Sequence, residues 1–424
     1  MDRKAEVAAH LDGNFVGDEF GPVSGGFLAK VTEGVLVFFD ETLREIIRSP
    51  SIKLTAGEGS TFTLFNVIIG NRFHWERKED QTFQGDLILR SRKDGTISAI
   101  NEIPLEDYLT SVISSEMSAA APMEFLKTHA ILSRSWFLAA LGRKKKTKET
   151  SLSAEKTTDE VVMRWYDQQH HDLFDVCSDD HCQRYQGITK IISKQAEEAV
   201  RETIGMVITY QDEICDARYS KCCGGITEEF DTAWDDKQVP YLASISDAPV
   251  SRQPIGTEEE ASAWILSNPE AYCQTIDERL LESILPDFDR ETKDFFRWRI
   301  EYSRKELEEI LREKSGFDFG TINEITALRR GPSGRISQMR IVGSKQSMVV
   351  GKELEIRRWL SRTHLYSSAF VVMVDEERFT FYGAGWGHGV GLCQIGAAVM
   401  ASEGFSAEEI LERYFRGVEI RKIY

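Results

Sequence analysis

The sequence predicts an α+β fold for this chain of 424 residues. Short apolar runs separated by Gly, Asp and Ser predict strands near the N-terminus, and apolar residues at helical spacing predict long helices after Pro104. Strands and helices then mix without a regular βαβ rhythm, which favours α+β over α/β. Apolar content of 41% and charged content of 29% are ordinary for a soluble globular protein, and the length suffices for two or three domains.

Composition changes along the chain predict four regions. A β-rich region carries the strand-like runs GVLVFF and TFTLFNVII, and a core region follows with two apolar helices, PLEDYLTSVISSEM and MEFLKTHAILSRSWFLAALG. The segments TEEEASAWIL and SRKELEEILRE each begin with a Thr/Ser-x-x-Glu capping box, which indicates a helical insertion. A third capping box begins the last helix, GFSAEEILERYF. The predicted regions are 1–84 (β-rich), 85–250 (core), 251–319 (helical insertion) and 320–424 (C-terminal part of the core).

The net charge and the N-terminal residues indicate which partners and which cellular location to expect. The net charge of −17 argues against a nucleic-acid partner. No run reaches the ~18 apolar residues of a membrane span, so no transmembrane segment is expected. The start, MDRKAEVAAHLDGNF, lacks the apolar region of an export signal, which indicates either a cytoplasmic protein or a signal removed from this sequence. Seven cysteines without regular spacing do not predict a disulfide framework.

Glu116 is a candidate general acid. It lies at the end of a mostly apolar predicted helix, just before the small-residue stretch that leads to Pro122. Partial removal from water raises the pKa of a carboxyl group and lets it hold a proton near neutrality, as a general acid requires. The alternative is a helix-end Glu that faces solvent.

A glycine-rich segment near the C-terminus is a second candidate. Residues 383–397, GAGWGHGVGLCQIGA, contain six glycines that bracket Trp386, His388 and Gln394. The spacing fits neither a dinucleotide-binding loop nor a phosphate-binding loop. We expect either a sugar-binding groove, in which Trp386 stacks on a pyranose ring, or a tightly packed corner with His388 hydrogen-bonded inside it.

The segment YSKCCGGITEEF, residues 219–230, predicts a turn at Gly224 and Gly225. The adjacent thiols of Cys222 and Cys223 could bind metal or oxidise, but buried small hydrophobic residues are the commoner role of cysteine.

The segment HHDLFDVCSDDHCQ supplies two thiols and two imidazoles for a metal ion. A Cys₂His₂ set is one that zinc binds tetrahedrally, and four protein ligands would leave no position for water, so such a zinc would be structural. The alternative is a redox-active or nucleophilic Cys177 paired with His181. His170 is a possible substitute for His171. The predicted ligands are His171, Cys177, His181 and Cys182.

Four motifs in order resemble the stage II sporulation protein D family, also called the amidase-enhancer family. They are NEIPLEDYLTSVISSEMSAAAPMEFLKTHAILSRSWFLAAL, DVCSDDHCQRYQG, YSKCCGGITEEFDTAW and GWGHGVGLCQIGAAVMASEGFSAEEILERYF. The resemblance covers roughly residues 85–245 and 320–424. Cys222 and Cys223 depart from it, because small hydroxyl residues are usual there, whereas Ser220 and Thr227 remain.

The resemblance implies a lytic transglycosylase that cleaves peptidoglycan glycan strands already stripped of their stem peptides. Its catalytic acid would be the Glu of the Ser-Glu-Met motif, here Glu116, and its zinc ligands would be the Cys₂His₂ set. It also implies a location in the cell envelope, and a cell-wall amidase as partner in an alternative, non-catalytic role. Glu228 and Asp235 are candidate helpers for an oxocarbenium-like state. The expected substrate-binding residues are Ser220, Gly224, Gly225, Thr227, Glu228, Trp386, His388 and Gln394.

Overall fold

The computed structural model describes residues 1–70, 76–146, 155–166, 171–250, 252–290 and 294–424. The chain divides into two compact units, which are residues 1–120 with 170–202 and residues 121–169 with 203–424.

Helices and strands alternate irregularly along the chain. The helices are α1 (Leu105–Glu116), α2 (Met123–Lys146), α3 (Lys194–Glu202), α4 (Phe230–Ala233), α5 (Glu258–Leu266), α6 (Glu278–Ile284), α7 (Arg304–Ser315), α8 (Glu353–Trp359), α9 (Gln394–Ser402) and α10 (Ala407–Tyr414). The strands of the first unit are β1 (Glu6–Gly17), β2 (Gly21–Thr32), β3 (Val35–Asp40), β4 (Glu45–Ser49), β5 (Ser51–Ala56), β6 (Thr61–Ile69), β7 (Arg77–Gln84), β8 (Asp86–Ser91) and β9 (Ile97–Glu102). The strands of the second unit are β10 (Glu155–Thr157), β11 (Val161–Arg164), β12 (Met206–Tyr210), β13 (Glu213–Ile214), β14 (Tyr219–Ser220), β15 (Arg297–Ser303), β16 (Ile322–Arg330), β17 (Ile336–Gly343), β18 (Ser347–Gly351), β19 (Phe370–Val374), β20 (Arg378–Ala384), β21 (Leu392–Cys393) and β22 (Glu419–Lys422).

The first unit is built on one sheet. Its strand order is β4-β3-β2-β1-β5-β8-β9, with β6 paired to β1 and β7 paired to β6. The pairs are antiparallel, and alternate residues of β1 are buried, because successive side chains of a strand point to opposite faces. Helix α1 follows the last strand and packs against α3. Every residue of α1 from Tyr108 to Glu116 is buried, and the hydroxyls of Ser114 and Ser115 donate to carbonyls one turn back.

The second unit combines helices with several small sheets. Strands β16, β17 and β18 form an antiparallel meander, and β11 adds to it in parallel through β18. Strands β15, β20 and β19 form another antiparallel sheet. Side chains from these two sheets and from α7 and α8 share one hydrophobic core, with Trp359 and Phe381 among its buried members. The two-stranded pair β14 and β21 is parallel and lies where two of the sequence motifs meet.

The α+β prediction is confirmed, and so are most of the local predictions. The capping boxes at Thr257 and Ser406 are formed, and the Ser303 side chain accepts a hydrogen bond from the Glu306 backbone N–H. The sequence also predicts a strand at ICDARYS, residues 214–220, and this prediction is wrong: only the two ends of the segment belong to strands, β13 and β14. Residues 251–319 hold helices, as predicted, and also strand β15. Of the helices described here, none is both long enough and apolar enough to cross a membrane.

Candidate functional site

The predicted Cys₂His₂ set comes together in the first unit. One ligand atom from each residue lies within 4.8 Å of the others. The Cys182 Sγ is 3.4 Å from both His171 Nε2 and His181 Nδ1, and the Cys177 Sγ is 3.9 Å from His181 Nδ1. A tetrahedral zinc with ordinary Zn–S and Zn–N bonds would separate sulfur from nitrogen by about 3.6 Å. The spacing of these atoms therefore fits a closed tetrahedral metal site.

Local backbone turns explain why the two thiols meet. The Cys182 N–H donates to the Asp179 carbonyl at 2.9 Å, and the Tyr185 N–H donates to the Ser178 carbonyl at 3.2 Å. Hydrogen bonding from Cys182, followed by that from His171 and His181, lowers the pKa of Cys177 well below its usual value. A thiolate is the form that binds metal. His170, the alternative ligand, lies outside the described residues.

Glu116 is the last residue of α1, and only 7% of it is exposed. Its Oε1 accepts a hydrogen bond of 2.9 Å from the Arg184 backbone N–H. Arg184 follows Cys182 by two residues, and the intervening Gln183 accepts a hydrogen bond from the Tyr108 hydroxyl of α1 at 3.1 Å. The segment that carries the Cys₂His₂ set thus runs directly into the segment that holds the carboxyl group. The low exposure excludes the alternative of a freely solvated helix-end Glu.

The glycine-rich segment lies in the second unit and presents Trp386 within an aromatic group. The Trp386 ring stacks on Tyr366, with centroids 4.0 Å apart and an interplanar angle of 16°. Phe295 packs against the same indole at a tilt, with centroids 4.9 Å apart. Trp386 is half-buried, so part of it remains accessible. Tyr366 and Phe295 were not among the sequence-predicted residues, since an isolated aromatic residue in a sequence carries no signal of its partners.

Glycine is required where this segment meets the Cys222–Thr227 turn. Gly224 has a φ of +82°, and a Cβ there would lie 2.9 Å from the Gly385 nitrogen. Cys222 and Trp386 exchange backbone hydrogen bonds of 2.7 and 3.2 Å across the same contact. The two motifs, more than 150 residues apart in sequence, therefore form one substructure.

His388 and Gln394 are committed to internal hydrogen bonds. The His388 Nδ1 accepts from the Val390 N–H at 3.0 Å, and burial lowers the pKa of His388 well below its usual value. Gln394 is 2% exposed, and its Nε2 lies 3.0 Å from the Nε2 of His129. An amide NH₂ can only donate, so His129 accepts at Nε2 and is neutral. These contacts match the packed-corner interpretation of the segment.

The remaining predicted residues of the second unit differ in their surroundings. The Ser220 hydroxyl is buried and has no hydrogen-bond partner among the described residues. The Thr227 hydroxyl accepts from the Ile245 N–H at 2.9 Å, so it secures the turn. Gly225 has a φ of +104° and lies against the Trp264 ring. Asp235 is exposed.

Glu228 is fully buried and held by several donors. Its Oε2 accepts from the Ser333 hydroxyl at 2.6 Å, and its Oε1 accepts from the Glu229 N–H and the Thr232 hydroxyl. Burial raises the pKa of Glu228 from 4.5 to about 7. The Glu228 N–H also donates to the Gly389 carbonyl at 2.8 Å, which ties the turn to the glycine-rich segment. A role for Glu228 in binding substrate stays a prediction.

Glu116 and the Cys₂His₂ set belong to the first unit, and the expected substrate-binding residues belong to the second. That Glu116 and Trp386 share one cleft stays a prediction of the sequence. A cavity of about 450 Å³ in the first unit is lined by residues that include Ser60, Asp86 and Asp107, but not Glu116.

Comparison with known proteins identifies two domains. Residues 93–210 match the family model described as "Stage II sporulation protein". Residues 228–391 match a model described as a domain of unknown function, which includes the glycine-rich segment through Gly391.

Individual relatives extend the similarity over most of the chain. The "Stage II sporulation protein D" of Bacillus amyloliquefaciens is 24% identical over 322 residues, which cover 76% of this chain and 75% of that protein. Its namesake in Bacillus subtilis strain 168 is 23% identical over 324 residues, covering 76% of each chain. The "Amidase enhancer" of Bacillus subtilis is 24% identical over 249 residues, which cover 54% of this chain and 33% of that protein.

Proposed function

This chain belongs to the stage II sporulation protein D and amidase-enhancer family, and from that premise we propose that it acts on the bacterial cell wall by cleaving peptidoglycan glycan strands. The proposed activity is that of a lytic transglycosylase on strands without stem peptides. Because its substrate lies outside the cytoplasmic membrane, the proposed site of action is the cell envelope.

The placement of Glu116 is the observation that carries this proposal. The carboxyl group is 7% exposed, lies at the end of a helix that is buried from Tyr108 onward, and is oriented by the Arg184 backbone N–H. A carboxyl group fixed in this way can transfer a proton at a defined position, which is what general acid–base catalysis requires.

One carboxyl group is sufficient for the proposed reaction. Glu116 donates a proton to the oxygen that bridges MurNAc and GlcNAc, and the glycosidic bond breaks. The resulting carboxylate takes the proton of the MurNAc C6 hydroxyl, whose oxygen bonds to C1 and closes a 1,6-anhydro ring. The sugar's own hydroxyl replaces the second carboxylate and the water that ordinary glycosidases use.

The Cys₂His₂ set would hold a structural zinc in this scheme. Its four protein ligands, His171, Cys177, His181 and Cys182, leave no position for a substrate or water. When bound, zinc would cross-link the loop and neutralise its thiolates. The zinc would affect the chemistry only indirectly, by fixing the residues that follow the loop. Of these, Arg184 contacts Glu116, and Gln183 contacts Tyr108.

Removal of the metal tests this role. A chelator should remove the zinc bound by the Cys₂His₂ set and increase the rate of hydrogen exchange at the Arg184 amide, whose acceptor is Glu116. Unchanged exchange at Arg184 after complete zinc loss would show that the metal does not support the catalytic carboxyl group.

The aromatic group of the second unit is the proposed glycan-binding surface. Trp386 is half-buried and backed by Tyr366, so its ring is held rigidly for stacking on a pyranose. Replacing Trp386 by Ala should weaken binding of denuded strands by about 0.5–1.5 kcal/mol, the range of a stacked aromatic contact. The measurement is co-sedimentation with insoluble denuded glycan.

Product analysis tests the catalytic proposal. Incubation with denuded strands should release fragments that end in 1,6-anhydroMurNAc and are one water lighter than hydrolysis products. Glu116→Gln should reduce their formation by about 10²–10⁴-fold, the usual contribution of a general acid. Asp107→Asn is the matched control, because Asp107 lies on the same helix but is exposed. Fragments with free reducing ends would contradict the transglycosylase mechanism.

A non-catalytic role is the alternative, and its support is the similarity to a protein named "Amidase enhancer". The chain would then bind glycan and recruit or activate a cell-wall amidase. In that case wild type would release no anhydro products, and glycan binding would survive Glu116→Gln. Added protein would instead accelerate stem-peptide release by a purified amidase.

A further inference from the structure

A second group of potential metal ligands lies inside the second unit. It consists of three thiols and one carboxylate, and one ligand atom from each lies within 4.8 Å of the others. All four residues are buried, with at most 2% exposed. We call this group the thiol cluster, and its members are Cys223, Asp247, Cys273 and Cys393.

We propose that the thiol cluster binds a thiophilic divalent cation of the zinc class. This site is separate from the Cys₂His₂ set, which lies in the other unit. Three thiolates and one carboxylate are ligand types that zinc accepts in a four-coordinate site, and four protein ligands make that site structural.

The sulfur spacing fits such an ion. The Sγ atoms of Cys223 and Cys273 are 3.7 Å apart. Two sulfurs bound to a tetrahedral zinc at the usual bond length are separated by about 3.8 Å. A disulfide would instead require about 2.05 Å.

The groups around the thiol cluster orient its ligands. The Cys223 N–H donates to the Cys393 Sγ at 3.2 Å, and the Gly225 N–H donates to the Cys223 Sγ at 3.3 Å. The Asp247 carboxylate accepts from the Tyr414 hydroxyl at 2.6 Å and from the Cys273 N–H at 3.0 Å. Hydrogen bonds of this kind hold metal ligands in place and stabilise negative charge on sulfur and oxygen.

Electrostatics also favours a bound cation. A fully buried carboxylate among thiols is costly unless a positive charge compensates it, and the donors just named to Asp247 are neutral. An ion bound by three thiolates and a carboxylate carries net negative charge. Two guanidinium groups offset that charge: buried Arg335 donates to the Cys223 carbonyl at 3.0 Å, and half-buried Arg297 donates to the Gly224 carbonyl at 3.0 Å.

The ion would join four segments that are distant in sequence. Cys223 lies next to Cys222, which exchanges backbone hydrogen bonds with Trp386, and Cys393 ends β21 immediately before α9. The metal would therefore hold the glycine-rich segment in place. Only this consequence rests on the proposed glycan-binding role, and the binding of metal does not depend on it.

Metal stoichiometry tests the proposal on the full chain. Protein is prepared with zinc under reducing conditions and dialysed, and its metal content is measured by inductively coupled plasma mass spectrometry. It should contain two zinc ions per chain. Cys273→Ser should lose one ion, and His171→Ala should lose the other. Cys215→Ser is the matched control and should retain both, because Cys215 is a buried thiol of the same unit outside the thiol cluster.

X-ray absorption at the zinc edge of the wild-type protein avoids any variant that fails to fold. Two occupied sites, one with two sulfurs and one with three, should average about 2.5 sulfurs per zinc, whereas the Cys₂His₂ site alone would give about 2. One zinc per chain that persists in Cys273→Ser would overturn the proposal. A Cys223–Cys273 disulfide in the peptides of the unreduced protein would also overturn it. Neither outcome depends on glycan cleavage, so failure here is distinguishable from failure of the proposed function.

Discussion

The buried imidazole of His129 predicts a specific loss of stability in mild acid. His129 lies in α2, is fully buried, and contacts Gln394 and Ser133 through its two ring nitrogens. Burial lowers the pKa of His129 from 6.5 to about 3, and the charge of Lys221 acts in the same direction. Between these two pH values the unfolded chain binds a proton that the folded chain does not bind.

The sign and size of the effect follow from this difference. The stabilising contribution is complete above pH 6.5 and is lost as the pH falls towards 3, because protonation then favours the unfolded state. A shift of this size corresponds to about 5 kcal/mol in full. Between pH 7.5 and 4.5 the loss attributable to His129 should be about 2.5 kcal/mol.

The assay compares wild type with His129→Gln, which cannot be protonated and whose amide oxygen can still accept from Gln394. Urea unfolding is followed by tryptophan fluorescence, because seven of the eight tryptophans lie in the second unit, which contains His129. The free energy of unfolding should fall by about 2.5 kcal/mol less in the variant than in wild type over this pH range. Equal pH dependence in the two proteins would refute the argument that His129 stays neutral in the folded state.

Three further predictions concern other buried groups of the second unit. Because burial raises the pKa of Glu228 from 4.5 to about 7, this residue stabilises the fold at low pH, and the stabilisation is lost as the pH rises from 4.5 through 7. In urea unfolding, the free energy of unfolding of wild type should therefore decrease by about 3 kcal/mol more between pH 4.5 and pH 8 than that of Glu228→Gln. The same decrease in both proteins would exclude this assignment. Gly224→Ala should lower the free energy of unfolding by about 1–3 kcal/mol more than Gly404→Ala. Both glycines have positive φ, but only a Cβ at Gly224 would clash with backbone, that of Gly385. Equal losses in the two variants would contradict this close approach. Asp289→Asn should cost about 3–5 kcal/mol by removing the carboxylate charge that lies 2.7 Å from the buried Lys221 ammonium group, whereas Glu313→Gln in an exposed pair should change stability by under about 1 kcal/mol. A similar small change in both variants would show that the Lys221–Asp289 pair does not stabilise the fold.

Local sequence patterns were sufficient for much of the fold. Helix α2, the capping boxes at Thr257 and Ser406, and strand β6 all follow from apolar periodicity and end signals, because their hydrogen bonds join residues close in sequence. The Cys₂His₂ set was predictable for the same reason, since its four members lie within twelve residues and local turns bring them together. The interruption of ICDARYS between β13 and β14 was not predictable in this way, because β-propensity depends strongly on tertiary context.

The sequence by itself determined the α+β class, the ends of its main helices and the candidate roles of Glu116 and the Cys₂His₂ loop. Only the tertiary structure decided that His129 meets Gln394, that Glu228 is enclosed, and that the thiol cluster assembles from four separate segments. The physical reason is the range of the interactions. Backbone hydrogen bonding within a helix or turn is written into neighbouring residues, whereas burial and the meeting of thiols from positions 223 and 393 depend on how the whole unit packs.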